Sequence, residues 1–110
     1  MKALVVVDGG ICGFQTRIHT ESDDSQNVTF KIASGCERAR AFGDALMSKG
    51  PVDGYAEIGA GSDGMVLTTA RESLKGCCAA CAVPVGVFKT MQVAAGVALP
   101  KDVTLKMTTE

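Results

Sequence analysis

The chain has 110 residues, enough for one domain with a modest core and too few for two. Its formal net charge is −1, with no tryptophan and one tyrosine, which argues against the basic face and the stacking aromatics of a nucleic-acid-binding protein. No membrane partner is expected either: the apolar run 3–7 is too short for an export signal, and Lys89, Thr90 and Gln92 interrupt the longest apolar stretch, residues 79–99.

Residues 3–7, Ala-Leu-Val-Val-Val, read as a buried strand closed by Asp8-Gly9-Gly10. Residues 14–21 alternate, with Phe14, Thr16, Ile18 and Thr20 on one face. Residues 27–34 alternate in the same way, with Val28, Phe30 and Ile32 toward the core. Ser22-Asp23-Asp24-Ser25 between them is a turn cluster, so the two strands form a hairpin with one wet face. Ser34-Gly35-Cys36-Glu37 matches a capping box, with Ser34 at the N-cap and Cys36 as second residue of the helix. That helix buries Ala39, Phe42, Ala45 and Leu46 and stops at Gly50-Pro51. Residues 52–61 are glycine-rich and read as a loop with one short strand near 55–58. A second helix, capped by Ser62 or Asp63, carries Val66, Leu67, Ala70 and Leu74 and ends at Gly76. A cysteine-rich turn, 77–81, precedes a third helix over 83–96, apolar almost all round and therefore central, with Pro84 in its first turn. After Pro100, residues 102–108 alternate Val103, Leu105 and Met107 with polar neighbours and predict a last strand. The expected fold is α+β over the single domain 1–110: a small, mostly antiparallel sheet with about three helices on one face.

With no export signal, the expected compartment is the cytoplasm. Disulfides do not persist there, and cysteines serve as metal ligands or reactive thiols. Five cysteines is also an odd count. If Ile18 sits opposite Phe30, then Thr16 faces Ile32, Phe14 faces Ser34 and Cys12 lies opposite Cys36, about 5 Å apart at Cβ. A helix start lowers the pKa of a thiol such as Cys36. Gly9, Gly10 and Gly13 let the backbone close around Cys12. Cys78-Ala79-Ala80-Cys81 is a C-x-x-C pair able to place two sulfurs on one metal atom, with Cys77 as alternate for Cys78. His19, the single histidine, reads as a solvated strand residue. No phosphate loop and no Ser-His-Asp arrangement can be built, so an enzyme is not the favoured reading.

The motifs Gly9-Gly10-Ile11-Cys12-Gly13-Phe14, Cys36-Glu37, Cys81-Ala82-Val83-Pro84-Val85 and Ala98-Leu99-Pro100-Lys101-Asp102-Val103 resemble a small uncharacterised family from anaerobic microbes. The layout is also similar to the U-type iron–sulfur cluster assembly scaffolds. These carry a Cys-Gly before a hairpin, a Gly-Cys at a helix start, and a third cysteine after a histidine at the start of a late helix. Cys12-Gly13, Gly35-Cys36 and Cys81 fall at those three places, and Cys78 at that of the histidine. The chain departs from them at Phe14, where the scaffolds have aspartate.

The expectation is therefore a site of Cys12, Cys36, Cys78 and Cys81 that binds an iron–sulfur cluster or a zinc ion. The resemblance implies a scaffold or carrier whose partners are other iron–sulfur or redox proteins. Two rival readings are a thiol redox or sensor protein using Cys77, Cys78 and Cys81, and a structural zinc-binding interaction module.

Overall fold

Period-two alternation builds the middle of the molecule. In the computed structural model, which describes residues 1–110, β1 (Lys2–Asp8), β2 (Gln15–Glu21), β3 (Asn27–Ser34) and β4 (Val52–Asp53) form one antiparallel sheet in the order β1-β2-β3-β4. Thr16, Ile18, Thr20, Val28 and Phe30 are buried, while Arg17, His19 and Lys31 on the other face are exposed. Four helices follow: α1 (Glu37–Ser48), α2 (Gly54–Ala60), α3 (Met65–Ser73) and α4 (Val83–Ala94). α4 lies over β1 and β2, α1 lies over β3, and α3 packs against both helices. Ile18, Phe42, Leu46, Leu74, Val87 and Met91 fill the space between, so the fold is α+β as expected. No helix is long and apolar enough to cross a membrane.

Two features hold α4 tightly on the sheet. Gly86 leaves no room for a side chain, since a Cβ there would stand 2.6 Å from Val7 Cγ2. Thr20 Oγ1 donates to the Thr90 carbonyl at 3.1 Å, a buried bond that fixes the helix lengthwise. α4 therefore starts near the Val7 end of β1 and runs toward the Thr20–Ala3 end.

Several expectations are corrected. β1 is not buried on both faces: it is an edge strand, and Leu4 and Val6 are exposed. In the hairpin, Ile18 stands opposite Ile32 and Phe30 opposite Thr20, two residues from the expected register. The Asp24 carboxylate accepts from the Gln26 and Asn27 backbone N–H groups and from the Asn27 amide. This tight loop starts the pairing at Glu21 opposite Thr29. A slip of two leaves every side chain on its own face, so the burial pattern survives. The ladder now ends at Thr16–Ser34, and Cys12 is not in it. Ser34 does not cap α1 either. It remains the last residue of β3, bonded to Thr16 Oγ1 at 2.8 Å, and Cys36 is the N-cap.

Residues 52–61 are not a loop. Asp53 caps α2 by accepting from the Tyr55 and Ala56 N–H groups; the bond from the Gln26 side-chain amide chiefly, and those two N–H bonds with it, hold its pKa below the ordinary carboxylate value. Neither Ser62 nor Asp63 caps α3. Glu57, buried on α2, reaches across to accept from the N–H groups of Met65 at 3.0 Å and Val66 at 2.5 Å. α4 is buried only toward the sheet and α3, with Val85 and Lys89 exposed. The last strand does not form: residues 99–110 adopt no helix or strand, and Leu105 is 78 % exposed. Alternation supplies the side-chain pattern of a strand, but a strand also needs an edge to pair with.

Candidate metal centre

Three connections lie at one end of the sheet. β1 ends there at Asp8 opposite Gln15, β3 ends at Ser34 opposite Thr16, and α4 begins over Val7. Each connection carries cysteine.

The first is the turn after β1. The Gly9 N–H donates to the Phe14 carbonyl and the Gly13 N–H to the Gly10 carbonyl, each at 2.9 Å. Gly10 and Gly13 take φ of +75° and +74°, which side-chain-bearing residues rarely adopt. The closed turn exposes Cys12 and folds its sulfur back over Gly9. The Phe14 ring lies on Gly35, where a Cβ would meet it at 3.2 Å. The segments that carry Cys12 and Cys36 thus touch through the Phe14 ring and Gly35, not through the ladder.

At the second connection, the Cys36 N–H donates to Ser34 Oγ at 3.0 Å, and Ser34 is held in turn by Thr16. That places Cys36 at the positive end of α1, partly buried against the core.

At the third, the N–H groups of Cys77 and Cys78 both donate to the Leu74 carbonyl, and the Cys81 N–H donates to the Cys77 carbonyl at 2.8 Å. This helix-like turn puts positions 77 and 81 on one side. Arg38, in the first turn of α1, spans to it: Nη1 donates to the Lys75 carbonyl at 2.9 Å and lies 3.6 Å from Cys77 Sγ. Cys78, together with Cys81, lines a groove of about 540 Å³ whose walls include Ile58, Leu67, Val85 and Phe88.

All five cysteines are free thiols. Burial pushes the Cys81 thiol up from its ordinary value, and the Val83 N–H at the start of α4 pulls the other way. The charges of Cys77, Cys36 and Cys12 add to the rise. Cys81 thus lies in the field of those three cysteines. No three of the His, Cys, Asp and Glu side chains stand close enough to hold a single metal ion. A tetrahedral zinc with bonds of about 2.3 Å asks for sulfurs only about 3.8 Å apart. An iron–sulfur cluster spreads its thiolates over several metal atoms and accepts a wider set. The donor chemistry fits both groups.

His19 is exposed on the open face of the sheet, as its alternation implies. Two residues escaped the sequence reading. Arg38 carried a readable signal, a cation two positions after Cys36 in the first helical turn. Glu57 carried none, because its partners Met65 and Val66 lie on another helix.

The model of a family described as "Family of unknown function (DUF6951)" matches residues 3–107, and the chain belongs to that family. No curated protein and no solved structure matches it.

Proposed function

For this member of a family of unknown function, we propose that Cys36, Cys77 and Cys81, with Cys12 from the exposed turn after β1, bind an iron–sulfur cluster. The observation that carries this reading is the convergence, at one end of the sheet, of three connections that each carry cysteine. Cys77 replaces Cys78 in the proposed set, because Cys77 shares one side of the turn with Cys81 and, unlike Cys78, acts on its thiol. A cluster supplies the positive charge that a set of thiolates lacks. The residues around it have definite tasks. The Val83 N–H at the start of α4 is directed at Cys81, and Cys36 stands at the positive end of the α1 dipole. Arg38 offsets charge at Cys77. The partners of such a protein would be other iron–sulfur or redox proteins of the cytoplasm.

The test is anaerobic reconstitution of the full chain with ferrous iron and sulfide, followed by gel filtration and a visible spectrum. Retained iron and sulfide with charge-transfer absorption are expected for the parent chain, and Cys36→Ser and Cys81→Ser should lose both. Zinc bound in place of iron would move the reading to a single-ion site. A colourless, metal-free, folded protein would end it.

One observation favours a second reading, thiol redox chemistry. A guanidinium near a cysteine stabilises its thiolate, and Arg38 stands in that relation to Cys77, beside the vicinal Cys78. Rapid alkylation of Cys77 alone in the metal-free protein, slowed in Arg38→Met, would support it. Uniformly slow alkylation of all five thiols would count against it.

A further inference from the structure

The strand expected at 102–108 finds no partner, and one long strand edge has none either. The sheet order leaves β1 unpaired along its outer side for seven residues, whereas the opposite edge is the two-residue β4. Long free edges invite another strand, and proteins ordinarily cover or blunt them. β1 carries no proline and no bulge, and its single lysine sits at one end. The C-terminal segment has the matching properties. Val103, Leu105 and Met107 alternate with Thr104, Lys106 and Thr108, and all three apolar side chains are exposed, Met107 by 89 %. The family match extends through residue 107, so this segment belongs to the family's domain.

We infer that two copies of this chain associate by exchanging these segments, each laying residues 103–110 along β1 of the other. The chain's own route argues for a second copy. α4 ends with Ala95 against Gly54, beside β4, so the segment departs from the edge of the sheet opposite β1. Antiparallel addition, the sense of every other pair in the sheet, admits a register with Lys2 opposite Glu110. Val5 then faces Met107 and Val7 faces Leu105, on the side covered by α4. Lys106 and Thr108 fall beside Val6 and Leu4 on the solvent side. This register pairs opposite charges at its end and extends the apolar face.

Light scattering behind gel filtration, over a dilution series with reductant to prevent disulfides through Cys12, measures the association of the full chain. The expected mass is twice the 11.3 kDa of one chain. The bonds of Met1 and Gly9 to the β2 side leave the backbone groups of Leu4 and Val6 on the free edge, so Lys106→Pro, opposite Val6, removes a ladder N–H from a segment outside the core. It should weaken the dimer by about a hundredfold or more, with an unchanged circular dichroism spectrum. In a mixture of isotope-labelled and unlabelled copies, filtered NMR experiments should connect Leu105 of one copy to Val7 of the other. A monomeric full chain would overturn the inference. So would a dimer indifferent to Lys106→Pro, or contacts between residues 105 and 7 confined to one copy.

Discussion

Removing the Glu57 carboxylate should cost the fold about 3 kcal/mol. The side chain is buried, and its two oxygens serve the first two N–H groups of α3. Val66 is fully buried, so its N–H has no water to return to, and loss of a charged acceptor there costs about 2 kcal/mol. Met65 is exposed and its N–H can be resolvated, which limits that part to about 0.5 kcal/mol. Losing a negative charge at the helix start adds about 0.5–1 kcal/mol. Glu57→Ala should therefore lower the Tm by about 10 °C in a domain of this size. Glu57→Gln keeps the shape and one acceptor and should lose roughly half as much. Thermal melts followed by circular dichroism at neutral pH, with urea midpoints as a check, measure both. α3 leads directly into Cys77, one of the proposed ligands. A Tm of Glu57→Ala within about 2 °C of the parent would refute this role of the carboxylate.

Other consequences follow from the same geometry. Gly43 faces β3, where a Cβ would stand 2.8 Å from Ile32 Cβ. Gly43→Ala should destabilise by about 1 kcal/mol, since overpacking of about 2 kcal/mol outweighs about 1 kcal/mol of gained helix propensity; a stabilised variant in urea would contradict that packing. Asp24 has its pKa lowered to about 2, chiefly by its bonds with Asn27. Its contribution is present in full above the ordinary 3.8 and is lost as the pH falls toward 2. Urea midpoints over that window should fall less steeply in Asp24→Asn, and an unchanged slope would show that the hairpin loop does not use the charge. In the reconstituted protein, Cys77→Ser should lose the visible spectrum and Cys78→Ser should keep it; the reverse would return the fourth position to the C-x-x-C pair.

Side-chain periodicity made the hairpin and the faces of β2, β3 and α1 legible, because burial on one face demands it. Register was not legible, because a slip of two preserves every face and the Asp24 loop decides between the alternatives. α2 was hidden by glycines at 54, 59 and 61, although Asp53 was a readable N-cap. The C-terminal alternation suggested a strand without indicating an edge to receive it. At the candidate site, the ladder expected to set Cys12 opposite Cys36 ends before it reaches them, at Thr16–Ser34. A glycine-closed turn and the Phe14 ring, not a ladder pair, bring their segments together. Arg38 beside Cys77 depends on how α1 meets the turn after α3, and such meetings of separate elements are not written in local pattern.

The most direct test of the proposed cluster is the iron and acid-labile sulfide content of the full chain purified without oxygen. Iron and sulfide in equal amounts, with visible absorption that bleaches on exposure to air, is the predicted result. A folded chain that carries neither, even after incubation with ferrous iron and sulfide, would contradict the proposal.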